Sequence, residues 1–264
     1  MKHSRTPLRY AGGKSRAYGF ISTYIPFWPK PKRIVSPFIG GGSLEVRWAN
    51  ELDIEVIGYD VFDMLVNFWK VLLSQPQELS EELSKITPDD NTYKEIKDIL
   101  LHLDKTQELL SGWKTNSYKR EVMITLNDLE RASFYYFNHN TSYGPGYLGW
   151  GSSVYLQADK WKQMCKNIQN FKCGNLSVEQ ASFEDVIPNH KKDLLYLDPP
   201  YYLEQDTDNK IFKGIYPMRN IPIHHSGFNH EKLRDLLHNH EGSFVLSYNN
   251  CETIREWYKD FRLE

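Results

Sequence analysis

Apolar residues along this chain follow two rhythms: short unbroken runs, and runs spaced as on one face of a helix. Residues 34–38 read as a short buried strand that runs into Gly40, Gly41 and Gly42. Residues 43–50 read as a helix, and 55–59 as a second strand ending at Asp60. Residues 63–73 carry helical spacing at Leu65, Val66, Trp69, Val71 and Leu72. Strand–helix–strand–helix predicts a parallel sheet. From about 76 to 172 polar amphipathic stretches take over. They lead into an aromatic run, Phe134, Tyr135, Tyr136 and Phe137, and a glycine- and aromatic-rich segment from Tyr143 to Gly151. The alternating pattern resumes with strands at 176–179, 193–197 and 244–248. A helix is predicted over 231–238 with Asn229 as its N-cap, and another over 251–258 capped by Asn250. Residues 261–264 look like the start of a strand, so a final hairpin is expected beyond them.

Composition narrows the class. The chain has 264 residues, enough for one large α/β domain with a smaller insertion. Its 40% hydrophobic and 25% charged residues are an ordinary globular balance. It has no run of eighteen apolar residues and no apolar signal core near Met1, so neither a membrane span nor secretion is expected. Cys165, Cys173 and Cys251 form no CxxC pair, which suits a cytoplasmic protein without a zinc cluster. The net charge of −2 hides an uneven distribution: residues 1–44 contain eight Lys or Arg and no acid. Such a stretch suits phosphate contacts or a solvated basic face.

Three constellations carry chemistry. Glycines 40–42 follow the first strand, and Asp60 ends the second; that arrangement lets a backbone approach a ligand closely and offers a carboxylate to ribose hydroxyls. The spacing departs from G-x-G-x-x-G, which disfavours a dinucleotide. The second is Asp198-Pro199-Pro200-Tyr201, at the end of an apolar strand. Pro199 holds Asp198 extended. The Asp198 carboxylate and the Pro199 carbonyl then offer two acceptors to an aromatic amine, whose lone pair is freed when the nitrogen pyramidalises, and Tyr201 can stack on the base. The third is Arg9-Tyr10-Ala11-Gly12-Gly13-Lys14, a basic glycine turn whose Lys14 offers a charge for a carboxylate.

These segments, in this order, closely resemble the D12 class (α-type, Dam-like) of DNA adenine methyltransferases. Residues 244–249 and 254–258 resemble the C-terminal half of that family. The resemblance implies an α/β fold: a Rossmann-like S-adenosylmethionine-dependent methyltransferase sheet over 1–61 plus 173–264, with an inserted, mainly helical target recognition domain over 62–172. It implies that Asp198, Pro199, Pro200 and Tyr201 are catalytic. It assigns Tyr10, Lys14, Phe38, Gly40, Gly42, Asp60, Ser182, Phe183 and Asp198 to S-adenosyl-L-methionine. Relatives often have Asp-Phe where this chain has Ser182-Phe183; Ser182 would be a weaker partner for the adenine amine, and Asp185 is the alternative. Asp198 lies 158 residues after Gly40, far more than a plain methyltransferase needs, and the excess falls in the stretch of changed composition.

That stretch is expected to touch double-stranded DNA. Residues 111–172 hold eight Lys or Arg against four acids. The loop 138–150, with Asn138, Asn140, Ser142 and Tyr143, is expected to read bases, and Lys160 and Lys162 to meet phosphates. Residues 134–137 are expected in the core of the insertion. The target base must leave the duplex at a cost of a few kcal/mol, against about 1–3 kcal/mol per base from stacking. His224, His225 and His230 lack further metal ligands and read as surface or lid residues. No Pro-Cys dipeptide occurs, which removes the nucleophile of cytosine carbon-5 methylation. The resemblance implies a monomer, without metal, and leaves room for a companion restriction endonuclease acting separately. The alternatives are methylation of cytosine N4, of RNA or of a protein amide, or a DNA-binding relative without catalysis.

Overall fold

The structure, a computed structural model, describes residues 5–26, 28–110, 126–144, 146–202 and 228–264. The chain divides into two compact units. One comprises Met1–Thr6, Gly12–Val66 and Lys172–Glu264; the other comprises Pro7–Ala11 and Asn67–Phe171.

The first unit is built on a parallel sheet. Its strands are β1 (Arg33–Ser36), β2 (Glu55–Asp60), β3 (Leu176–Gln180), β4 (Leu194–Leu197) and β5 (Phe244–Leu246), in the order β3-β2-β1-β4-β5. A parallel strand covered on both faces needs apolar residues at successive positions rather than alternate ones. Ile34, Val35, Leu195 and Leu197 are fully buried accordingly. Ile34 pairs with both Val56 and Leu194, which fixes β1 between β2 and β4. The chain adds strands to one side of β1 and then returns to its other side with β4. The carboxyl ends of β1 and β4 therefore flank the switch point where open α/β sheets bind ligands. This is a Rossmann-like arrangement, as the sequence leads one to expect.

Helices cover the sheet. Alongside α1 (Tyr18–Ser22), α2 (Glu45–Glu51) follows β1; α3 (Asp63–Ser74) follows β2, with Asp63–Val66 in this unit and Asn67–Ser74 in the other. The helix expected from residue 43 begins two residues later, at Glu45, and the Ser43 hydroxyl accepts from the Lys14 amide at 3.0 Å. In chain order the later helices of this unit are preceded by α4 (Pro76–Ser84), α5 (Asp90–Leu110), α6 (Asp128–Thr141) and α7 (Ala158–Gln169). After them come α8 (Phe183–Asn189), α9 (His230–His238) and α10 (Glu252–Trp257). Phe183, Val186, Ile187, Leu233, Leu237, Ile254 and Tyr258 pack with Val35, Leu195 and Leu197 into one core. Asn229 caps α9 as its sequence predicts, accepting from the Lys232 amide. Asn250 does not cap α10: Cys251 holds that position, and Asn250 Oδ1 accepts from Arg255 Nε at 2.6 Å. The strand expected from residue 261 is absent too. Phe261 instead hydrogen-bonds back to the Tyr258 carbonyl and packs edge-on against Phe244.

The second unit is helical in its described residues, with α4 to α7 surrounding an aromatic core. Phe68 and Tyr136 stack at 5.3 Å, and Phe137 meets Trp161 edge-on at 5.0 Å. Tyr135, Tyr136 and Phe137 are buried, as expected for an aromatic run on a core-facing helix, whereas Phe134 is half-buried. α6 starts at a capping box: Asn127 Oδ1 accepts from the Glu130 amide, and Glu130 Oε2 accepts from the Asn127 amide. Among the described residues no helix is long and apolar enough to cross a membrane.

Candidate active site

The loop after β1 folds down onto β2. The Ile39 amide donates to the Tyr59 carbonyl at 2.8 Å, and a Cβ on Gly58 would come within 2.3 Å of Ile39 Cδ1. Gly40 and Gly42 have φ of 46° and 59°, left-handed values that side chains disfavour. Asp60, at the end of β2, ties down this loop. Its Oδ2 accepts from the Gly40 amide at 3.2 Å, and its Oδ1 from the Phe62 amide at 3.0 Å. Phe38 leaves β1 and lies 5.5 Å from the ring of Phe183 and 5.7 Å from that of Phe228. Phe183 opens α8, while Ser182 is the N-cap of that helix, its hydroxyl accepting from the Glu184 amide. Asp185 is exposed.

At the end of β4 stands Asp198, half-buried, with Pro199 buried behind it. Lys14 Nζ lies 2.7 and 2.6 Å from its two carboxylate oxygens and 2.9 Å from the Gly12 carbonyl. Only 18% and 23% of the two side chains are exposed. Burial works against the Lys14 ammonium, but the Asp198 charge, its hydrogen bond to Lys14 and the nearby Tyr201 together outweigh it and raise the lysine above its ordinary value. Burial pushes the Asp198 carboxyl up, while Lys14 pulls it back. The Lys14 ammonium also sits 5.2 Å from the centre of the Tyr201 ring. Tyr201 in turn faces Tyr248 at 6.3 Å, and Asn249 Nδ2 donates to the Tyr202 carbonyl. Lys14, Phe38, Gly40, Gly42, Asp60, Ser182, Phe183 and Asp198 to Tyr201 thus all belong to the sheet unit.

Residues 10–264 match the D12 class N6 adenine-specific DNA methyltransferases. The chain belongs to this family. It is 26% identical to a DNA N-6-adenine-methyltransferase of Escherichia phage P1, over 98% of this chain and 32% of that protein. It is 29% identical to a DNA adenine methylase of Vibrio cholerae O395 over 36% of this chain and 32% of the relative. It spans about a third of the length of these curated relatives.

Tyr10 belongs to the helical unit, where it is 38% exposed and stacks on His139 at 5.6 Å. Burial pushes His139 down to about 4, so it is neutral at physiological pH. The expected reading loop requires correction. α6 continues through Thr141, and Asn138, Asn140 and Ser142 are all fully buried. Asn138 Oδ1 accepts from the Leu148 amide at 2.7 Å. Asn140 accepts from the Arg9 amide and donates to the Pro7 carbonyl. The Ser142 hydroxyl donates within its own turn. These amides build the loop, and what the loop exposes is Tyr143 at 81% and Trp150 at 75%. The Tyr143 amide donates to the Trp150 carbonyl at 2.7 Å, which pinches the two aromatic residues together in the backbone. Lys160 and Lys162 lie exposed on α7.

His230, expected at the surface or in a lid, is half-buried, bonds the Tyr248 hydroxyl, and is pushed down to about 4 by burial. His224 and His225 lie outside the described residues. Sequence reasoning passed over Glu45, named Arg9 only as part of the basic glycine turn, and included Trp150 only as the end of the expected reading loop. Arg9 Nη1 donates to the carbonyls of Asn140 and Ser142, and its guanidinium lies 3.4 Å from the centre of the Tyr155 ring. A charged residue inside the glycine-rich turn was the available signal for it.

Proposed function

We propose that this chain transfers a methyl group from S-adenosylmethionine to the exocyclic N6 amine of adenine in double-stranded DNA. The observation that carries the reading is the Asp198 carboxylate, held by Lys14 at the carboxyl edge of the sheet and followed by Pro199, Pro200 and Tyr201. An adenine amine is a weak nucleophile because its lone pair is shared with the ring. Asp198 and the Pro199 carbonyl accept its two hydrogens, which favours the pyramidal nitrogen. Tyr201 stacks on the base once it has left the duplex. An incoming amine must share the Asp198 oxygens with the Lys14 ammonium.

The residues of the sheet unit fit the cofactor. Asp60 stands at the end of β2 beside the glycine loop, where its carboxylate is placed to accept from ribose hydroxyls. Lys14 offers an ammonium to the methionine carboxylate. Phe38 and Phe183 offer an aromatic wall, with Gly40, Gly42 and Ser182 at its margins. Tyr10 is proposed as a further cofactor residue on the family resemblance alone. S-adenosylmethionine supplies a methyl group on an electrophilic sulfonium. Asp198 directs the amine, takes up no methyl itself, and would accept the proton that the nitrogen sheds as the N–C bond forms and the donor's S–C bond breaks.

In this reading residues 62–172 recognise DNA. Tyr143 and Trp150 reach the duplex, Lys160 and Lys162 meet phosphates, and Asn138, Asn140 and Ser142 hold the loop in shape. The chain acts in the cytoplasm as a monomer, and any companion endonuclease acts separately. The test is methyl transfer from labelled S-adenosylmethionine to duplex DNA, followed by nucleoside analysis. Label in N6-methyl-2′-deoxyadenosine supports the proposal. Label in cytosine, label in RNA alone, or no transfer by the folded chain overturns it.

A further inference from the structure

We propose that Glu45 is a positioning residue for cofactor binding, whose single carboxylate ties the end of β1 to the start of α2 and so fixes the glycine loop between them. Glu45 is 2% exposed at the first position of α2. Its Oε1 accepts from Ser36 Oγ at 2.8 Å, on the last residue of β1. Its Oε2 accepts from the Leu44 amide at 3.2 Å. Residues 37–43, including Gly40 and Gly42, lie between these two anchors. A surface glutamate at a helix start needs no such burial to favour the helix dipole. A buried one persists where its oxygens are bonded. The Leu44 amide can only donate, whereas the Ser36 hydroxyl can donate or accept, and the ionised carboxylate accepts from both. A glutamine of the same shape would keep one acceptor for the Leu44 amide, and could keep the Ser36 contact only by donating to a hydroxyl that has turned its proton elsewhere, in place of a charge-assisted bond.

The same geometry makes the tie sensitive to pH. Burial raises the Glu45 carboxyl to about 7, against the bonds from its own amide, Ser36 and Leu44 that favour its ionised form. The groups facing it are Ser36 from β1, Asp198 beyond β4, whose charge raises it further, and the Tyr196 hydroxyl from β4. Lys14, bound to Asp198, moderates that charge. As pH falls through about 7, Glu45 gains a proton, one acceptor becomes a donor, and the tie loosens. Affinity for the cofactor should therefore fall toward lower pH, unlike the response of a group that binds best when protonated.

Two measurements test this, and only the second rests on the cofactor reading above. Hydrogen exchange of residues 37–44 in the free chain should be roughly tenfold faster in Glu45→Gln than in the parent, with thermal melting confirming the fold. In the parent, after correction for the intrinsic rate, that exchange should speed up below neutral pH; in the variant it should not. Ser36→Ala, which keeps the carboxylate and removes one donor, should show the same direction more weakly. Calorimetric titration should then show a roughly tenfold weaker affinity for S-adenosylmethionine in Glu45→Gln at pH 8, with a flat pH profile. Turnover at saturating cofactor should be less affected than affinity. Unchanged exchange in the loop in both variants overturns the inference. Faster exchange combined with no cofactor binding by the parent would leave the tie standing and sink the cofactor reading instead. Equal affinity and equal pH profiles for parent and Glu45→Gln would overturn the positioning role.

Discussion

Asp198 and Lys14 are 184 positions apart in sequence and 2.6 Å apart in space. A carboxylate and an ammonium this poorly hydrated hold each other in the charged form, and removal of either leaves an uncompensated partner. Asp198→Ala should lower the methyl-transfer rate roughly a hundredfold or more, while DNA binding persists, because the acceptor aimed at the amine is lost. Lys14→Met tests the other partner. Asp198 then loses the cation that favours ionisation, so its pKa rises and the low-pH arm of the rate profile moves to higher pH. Steady-state rates across a pH series would read this out. An acid limb that stays in place in Lys14→Met would mean that Lys14 does not set the ionisation of Asp198.

Elements that bury one apolar run were readable from the sequence. β1, β2 and β4 lie within one or two residues of their predicted bounds; β1 and β4, covered on both faces, leave an unbroken apolar signature. The glycine loop and Asp60 were legible for the same reason, since they follow those strands directly. Asn138, Asn140 and Ser142 were misread, and the cause is physical. Polar residues within an aromatic stretch look like a surface loop unless their partners are known. Here the partners of Asn140 are the backbone groups of Pro7 and Arg9, more than 130 residues away. The distinction is measurable. Asn140→Ala leaves the Arg9 amide and Pro7 carbonyl without those bonds, and should cost about 1–3 kcal/mol of stability. Tyr143→Ala and Trp150→Ala remove exposed rings and should change stability by no more than about 0.5 kcal/mol. Those two changes should instead weaken DNA binding. Thermal melts beside binding titrations would separate the classes; an Asn140→Ala chain as stable as the parent would return that residue to the surface.

At the scale of the whole molecule, the net charge of −2 argues neither for nor against a polyanionic partner, so the placement of charge has to carry the argument. α7 supplies one such placement. It buries Trp161, Cys165 and Ile168 along one stripe, at the i, i+4, i+7 spacing of a helix packed on its unit. Lys160 and Lys162 flank Trp161 on either side of that stripe, and both are exposed. Side chains in these positions can reach phosphates, which position a protein on DNA without reading its sequence. Each phosphate contact releases condensed counterions and contributes about 0.9 to the slope of log affinity against log salt. If both lysines touch the backbone, Lys160→Ala and Lys162→Ala should each flatten that slope by about this amount and weaken all DNA sequences alike. The methylated motif should stay the same in both. Because the two lysines point away from opposite sides of one stripe, a change in only one variant would identify which flank of α7 meets the duplex. Slopes identical to the parent in both would remove α7 from the DNA surface altogether and leave phosphate binding to other basic positions, such as those among residues 1–44.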